Sequence, residues 1–309
     1  MTASPLGRVV DVAQPGRHLA KDRGFLVVAE KGTELGRVPL DDVMAVLATH
    51  QATTTSCVLL SELAERGIPF VVCGGNFAPT GLIWPLAGHH AQQRRMEAQA
   101  AAPTALKAEL WRQVVTAKVR AQGRTLAALG RKAGAFASLA EKVAPGDPAN
   151  IEARAARRYW PLVFGRDFRR DADGGGPNRM LNYGYAVLRA ATARALAGAG
   201  LHPGLGIFHR HPFNPMPLAD DVMEPFRPVV DLETARIIQD LGPEVTTDAK
   251  KRLTALLQLD LPTKAGTTPL ATCLHRLAGS LADAFQNGTA VLTIPVQEPP
   301  DAETIAHPT

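Results

Sequence analysis

Between Arg8 and about Pro85 the apolar residues come in short β-prone runs separated by turn residues: Val9–Val12, Phe25–Val28, Val43–Leu47, Ile68–Cys73 and Leu82–Trp84. Runs this short, rich in Val, Ile and Phe and bounded by polar residues, predict strands. One helix interrupts them, from Thr54 or Ser56 as N-cap through Val58, Leu59, Leu63 and Ala64 to Gly67 as its stop.

After Gly88 the pattern changes to Ala, Arg, Leu and Gln with apolar positions three and four apart, the helical period. Helices are predicted over 91–100, 104–129, 150–163, 178–199, 232–240, 248–259 and 269–285. Their limits come from breakers such as Pro145-Gly146-Asp147-Pro148, Gly174-Gly175-Gly176-Pro177 and Asn287-Gly288, with Asn150 as a plausible cap. Strand-like runs are almost absent until Val291–Ile294. The fold class is therefore α+β, with a β-rich domain over 1–88, a helical domain over 89–295 and a tail over 296–309 whose Pro, Glu and Ala content predicts disorder.

Composition changes this picture little. The chain has 309 residues, 46% hydrophobic and 20% charged, enough for one large core or two moderate ones. No stretch reads as a secretory leader or a membrane span, so the expected location is the cytoplasm, with no membrane partner. Cys57, Cys73 and Cys273 are too far apart for a zinc cage, and Cys57 and Cys73 fall in apolar surroundings typical of buried thiols. Charge distribution adds more. From Arg94 to Lys132 nine basic residues stand against two acids, Glu97 and Glu109, and a second basic run holds Arg154, Arg157, Arg158, Arg166, Arg169 and Arg170. Such runs are either solvated helix faces or the footprint of a polyanionic partner.

The chemistry-bearing stretch is His209 to Arg227. Asp221 and Glu224 stand at i and i+3, so a helical turn there projects both carboxylates from one side, and a Pro-rich loop connects them to His209. Mixed imidazole and carboxylate ligation suits Mg²⁺ or Mn²⁺ better than a dedicated zinc site. Asp220 and Asp221 as helix caps are the plainer alternative. On the predicted helix after Asn150, Glu152 lines up with the apolar residues Ala155, Ala156, Tyr159 and Val163, while Arg154, Arg157 and Arg158 take the other side. Glu152 is thus either a solvated first-turn acid favouring the helix dipole, or a carboxylate that must be paired or metal-bound. An acid beside a basic strip is what metal-assisted phosphodiester chemistry needs: a cation to activate one oxygen and stabilise another, and cationic side chains to hold the backbone. Tyr183 and Tyr185, on an Ala-rich helix, are expected in the core.

Four segments, Trp111–Val119, Glu152–Trp160, Leu181–Arg189 and Asp221–Pro228, together with Val38–Asp42 and Glu65–Phe70, resemble in the same order the CRISPR-associated adaptation integrases, the larger spacer-acquisition proteins, in the form found with type II systems. The resemblance runs from Gly7 to about Phe285. It implies a β-sandwich-like N-terminal domain that dimerises and an all-α C-terminal domain holding the active site. It further implies assembly of two homodimers with a small ferredoxin-like partner into a heterohexamer. Family metal ligands map onto Glu152, His209 and Glu224, with Asp221 adjoining as a helper that touches the ion through water or orients His209. The implied reaction is spacer integration, in which the 3′-hydroxyl of a protospacer attacks a phosphodiester at the edge of a CRISPR repeat in double-stranded DNA; metal-dependent cleavage is the related hydrolysis. Lys118, Arg154, Arg157, Arg158 and Arg227 are candidate phosphate contacts, Arg227 competing with a buried structural ion pair. Relatives often carry two adjacent histidines and a polar loop, whereas here the run is Phe208-His209-Arg210-His211-Pro212-Phe213-Asn214, with His211 in reserve as ligand.

Two other readings compete with a metal-dependent integrase. One is a non-catalytic DNA-binding scaffold of the adaptation complex, in which Glu152, Asp221 and Glu224 only cap helices or form ion pairs. The other is a hydrolase of a small phosphorylated molecule, which needs an enclosed pocket and little salt dependence.

Overall fold

The computed structural model describes residues 7–211, 213–263 and 266–295; the tail predicted to be disordered lies outside the described residues. The N-terminal strands form two four-stranded sheets. One contains β1 (Arg8–Val12), β5 (Val43–Ala48), β7 (Phe70–Cys73) and β8 (Pro79–Ile83) in that order, the first three parallel and β8 antiparallel. The other runs β4 (Thr33–Pro39), β3 (Phe25–Glu30), β2 (Arg17–Asp22) and the two-residue β6 (Thr54–Thr55). Helix α1 (Cys57–Glu65) links β6 to β7, and the Ser56 hydroxyl accepts from the Leu59 N–H as predicted for the cap. Leu19, Leu26, Val46, Ala48, Leu59 and Phe70 share a core of this domain. Every residue of β5 is buried because its alternate residues Ala45 and Leu47 belong instead to the core of the helical half. A strand covered on both faces reads as an unbroken apolar run.

The helical half contains α2 (Gln92–Ala101), α3 (Thr104–Ala128), α4 (Ala135–Glu141), α5 (Ile151–Phe164), α6 (Pro177–Gly198), α7 (Pro217–Met223), α8 (Arg227–Leu241), α9 (Thr247–Ala255) and α10 (Leu270–Asn287). Between α9 and α10 lies a hairpin of β9 (Asp260–Thr263) and β10 (Gly266–Pro269), an antiparallel addition to an otherwise helical domain. The extended run Val291–Ile294 joins no sheet. It is held by side chains, with Gln113 accepting from the Leu292 N–H and the Ser280 hydroxyl accepting from the Thr293 N–H.

Helix α6 is the axis of this half, buried on nearly all sides, as an element apolar around its circumference must be. It also docks the two halves. Arg194, 5% exposed, donates from Nη1 to the carbonyls of Val43 and Met44 on β5, both at 2.7 Å. Tyr183 donates to Asp11 on β1, and Lys250 of α9 pairs with the same carboxylate at 2.9 Å. The motif Asn182-Tyr183-Gly184-Tyr185 thereby acquires a physical meaning. Asn182 donates to the carbonyls of Asn76 and Ala172, Tyr183 reaches the half-buried Asp11 and Tyr185 the buried Asp231, and Gly184 lets α8 approach so closely that an added Cβ would lie 2.4 Å from Val230 Cγ1. Cys57, expected buried, is exposed at the start of α1; Cys73 and Cys273 are buried.

Candidate functional site

Glu152 stands in the first turn of α5. The cap of that helix is Asp147 rather than Asn150: its two carboxylate oxygens accept from the N–H groups of Ile151 (2.8 Å) and Glu152 (2.9 Å), while Asn150 takes a left-handed conformation and caps nothing. The backbone of Glu152 is therefore fixed by a charge-assisted bond. Glu224 opens a short 3₁₀ turn, Glu224–Phe226, between α7 and α8. Pro225 and Pro228 withhold the N–H groups that would continue α7, so the chain tightens here and starts afresh as α8. Glu224 is 1% exposed.

Helix α3 brings Lys118 between these acids. Its Nζ lies 2.6 Å from Glu152 Oε1 and 2.6 Å from Glu224 Oε2, and Arg227 Nη1 holds the other Glu224 oxygen at 2.7 Å. Burial alone drives the Glu224 carboxyl upward, but Arg227 and Lys118 outweigh it and hold its pKa below the ordinary carboxylate range. Burial likewise works against the Lys118 charge, and Glu224 and Glu152 reverse the direction, leaving its pKa raised.

His209 comes from the loop between α6 and α7. Asp221, wholly buried on α7, shapes that loop: Oδ2 accepts from the N–H groups of Ile207 (2.6 Å) and Phe208 (3.0 Å), and Oδ1 accepts from the His209 N–H (3.2 Å) and from Nδ1 of its ring (2.5 Å). With Nδ1–H committed to a carboxylate, Nε2 is the free ring nitrogen. The hydrogen bond to Asp221 raises the His209 pKa, burial opposes it, and the charges of Glu224 and Glu152 add to the rise. An aromatic wall backs the imidazole. Phe208 stacks on Trp111 with centroids 4.3 Å apart and planes 3° apart, and His209 meets Trp111 edge-on at 5.5 Å. The far end of the loop is anchored by Arg189 of α6, which donates to Asn214 and Asp220. Gly206 is where the loop passes closest, since a Cβ there would lie 2.7 Å from the His209 carbonyl oxygen.

Behind Arg227 lies a buried polar cluster. Its guanidinium covers the Tyr185 ring at 4.3 Å, and Tyr185 and Tyr159 both donate to Asp231 of α8. Burial pushes the Asp231 carboxyl up to about 6 against the pull of its two hydroxyl donors.

Glu152, His209, Asp221 and Glu224, singled out in the sequence, thus lie at one locality, linked through Lys118 and by the charges His209 senses. Arg154, Arg157 and Arg158 are exposed along α5, as their helical spacing predicted. Lys118 and Arg227, named as candidate phosphate contacts, are ion-paired with the glutamates in the protein without DNA. The signal for Lys118 was its spacing: it follows Trp111 by seven residues and so shares that residue's buried face of α3. Asp147, Trp111 and Arg189 carry structural duties at the site that the sequence reading did not assign. Among the described residues no three His, Cys, Asp or Glu side chains converge tightly enough to hold a metal ion. The donor chemistry nevertheless fits a divalent cation. Two carboxylates already share one positive centre, a ring nitrogen is free nearby, and Glu224 Oε2 is buried with an ammonium beside it but no aligned hydrogen bond. No helix among the described residues is long and apolar enough to cross a membrane.

Residues 10–242 match the family described as CRISPR associated protein Cas1. Over 252 residues the chain is 36% identical to a CRISPR-associated endonuclease Cas1 of Neisseria meningitidis (serogroup C, strain 8013), covering 80% of this chain and 82% of that protein. It is 29% identical over 294 residues to a CRISPR-associated endonuclease Cas1 of Pyrobaculum aerophilum, covering 89% and 98%. Among solved structures, a casposase bound to integration product superposes with a TM-score of 0.78 at 16% identity over 98% of this chain and 96% of that one. A chain of a Cas6-RT-Cas1–Cas2 complex gives 0.76 at 19% identity over 96% of this chain and 37% of that one.

Proposed function

The chain belongs to the Cas1 family of CRISPR-associated proteins, and from that premise we propose that it is a metal-dependent DNA integrase and endonuclease that inserts short DNA fragments as new spacers into a CRISPR array by transesterification. The observation that carries the reading is the meeting of Glu152 and Glu224, from separate elements, on one buried positive charge, with His209 near enough to feel the charges of both. Two carboxylates brought together without a cation repel, so the fold is built to keep a cation between them.

Glu152, His209 and Glu224 are assigned as ligands of Mg²⁺ or Mn²⁺. Bound there, the ion supplies Lewis acidity toward the phosphodiester and lowers the pKa of an attacking hydroxyl or water. Asp221, with both oxygens occupied by four donors, orients His209 rather than ligating directly. Arg154, Arg157 and Arg158 hold the DNA backbone, a role suited to exposed guanidiniums on one helix face. Arg227 sets the charge and position of Glu224. The β-rich residues 1–88 are assigned to homodimerisation and 89–295 to catalysis. The likeness to a chain of a Cas6-RT-Cas1–Cas2 complex supports a small partner protein in a larger assembly.

Purified protein with its small partner, a short duplex bearing free 3′-hydroxyls and a supercoiled repeat-containing plasmid tests the reading. Joining is expected with Mg²⁺ or Mn²⁺, none with EDTA, and none with Glu152→Gln. The scaffold alternative draws support from the neutralisation of both glutamates by Lys118 and Arg227; DNA binding without joining in any metal would establish it and reject the integrase.

A further inference from the structure

Lys118 is 9% exposed, and its ammonium is the positive centre that Glu152 and Glu224 share. A buried ammonium persists only where opposite charge offsets its lost hydration, and the two carboxylates supply it at 2.6 Å each. The arrangement is self-sufficient without a metal. It also conflicts with one. With Lys118 and Arg227 in place, a divalent cation on the same two carboxylates would set four positive charges against two negative ones. One side chain must leave. The Arg227 guanidinium is packed against the Tyr185 ring and directed at the other Glu224 oxygen, whereas Lys118 is a point charge on a flexible four-carbon stem. Of the two acids only Glu152 reaches solvent, its side chain 20% exposed against 2% for Glu224, so the ammonium has its way out past Glu152 of α5.

Building on the assignment of Glu152, His209 and Glu224 as a cation site, we propose that Lys118 is a displaceable counter-ion: its ammonium holds the two glutamates together in the metal-free protein, yields its place to the divalent cation, and swings out to meet a DNA phosphate. Metal uptake and DNA binding are then coupled. Without DNA the displaced ammonium gains only water, and the site resists loading; with DNA it gains a phosphate, and each ligand favours the other to the same degree. Lys118 is by this argument a positioning residue for metal and backbone, not a catalytic one.

The test is a Mn²⁺ titration without DNA, following free Mn²⁺ by electron paramagnetic resonance, on wild type, Lys118→Met, Lys118→Arg and Glu152→Gln. Removal of the competing ammonium is expected to tighten Mn²⁺ binding at least about tenfold in Lys118→Met, while lowering the thermal stability of its metal-free form. Lys118→Arg, with a planar fork that grips both carboxylates, is expected to bind Mn²⁺ more weakly than wild type. Equal or weaker binding by Lys118→Met would overturn the proposal; if that variant does not fold without metal, Lys118→Arg decides, and wild-type affinity there would overturn it. Loss of Mn²⁺ in Glu152→Gln with both lysine variants unchanged would leave the cation site standing and remove only the counter-ion role. If neither wild type nor Lys118→Met binds Mn²⁺, the cation site itself falls, and the proposal with it.

Discussion

Asp221→Asn is the substitution whose consequences the geometry specifies most fully. The wild-type carboxylate accepts four hydrogen bonds, two at each oxygen, from three consecutive backbone N–H groups and the His209 ring. An asparagine keeps the oxygen facing Ile207 and Phe208 but turns an NH₂ toward the two His209 donors. The His209 N–H then has no acceptor, and an unsatisfied buried donor costs about 1–3 kcal/mol. The ring responds further. Facing a donor, Nδ1 gives up its proton, the proton moves to Nε2, and the nitrogen assigned to the metal becomes a donor. Loss of the carboxylate also removes the first cause of the raised His209 pKa, so the imidazole is expected to titrate lower. The expected result is a fold that survives, a Tm reduced in line with about 2 kcal/mol, and strand transfer reduced about 10–100-fold or more, as for other residues that orient a metal-bound histidine. Nitrogen NMR of the imidazole would report the change of tautomer, and a plasmid strand-transfer assay the loss. Activity within about threefold of wild type, together with an Nε2–H tautomer, would refute the argument that Asp221 acts through the ring.

Other consequences are open to direct measurement. Arg157→Ala and Arg158→Ala are each expected to weaken DNA binding to a similar extent on unrelated sequences and to lower the slope of log K against log salt by about one, read by fluorescence anisotropy; an unchanged slope would place them away from the backbone. The Asp231 carboxyl is raised from 3.8 to about 6, a gap worth about 3 kcal/mol. The folded state therefore holds that proton more tightly than the unfolded one, and the stability it contributes is complete below pH 3.8 and lost as pH rises through about 6. Urea unfolding of Asp231→Asn is accordingly expected to gain on wild type by up to about 3 kcal/mol between pH 4 and 7, and a difference constant with pH would contradict it. Gly184→Ala forces a Cβ to within 2.4 Å of Val230 Cγ1 and is expected to cost about 1–3 kcal/mol despite alanine's better helix propensity, with Val230→Ala restoring part of the loss.

What the residues disclosed in advance follows from how local each feature is. Strands β1, β3, β5, β7 and β8 were visible as apolar runs because they face the core. Strands β2 and β4 were not, since only Leu19 of β2 is fully buried and no residue of β4 is; both are held by pairing with β3, a non-local contact that leaves no period in the sequence. The hairpin of β9 and β10 carries prolines at positions 262 and 269 and was hidden for the same reason. The short α4 falls in an Ala-rich stretch with little amphipathic signal. The glutamates and His209 stood out by chemistry alone. The ion pairs that give the site its present state did not, because Lys118 is distant in sequence from both acids and only the packing of α3 against α5 and the 224–226 turn brings them within 2.6 Å. The helix cap at Asp147 was missed because Asn150 occupies the usual place, and its positive φ of 51° removes it from that role.

The central claim is that Glu152, His209 and Glu224 form one divalent cation site now held by Lys118. It is tested most directly by growing crystals of the protein with a DNA end in Mn²⁺ and collecting anomalous diffraction at the manganese edge. The result expected is an anomalous peak contacted by both glutamates and by Nε2 of His209, with the Lys118 ammonium turned away. A fully formed complex with no peak there, and with Lys118 still bridging Glu152 and Glu224, would contradict the claim.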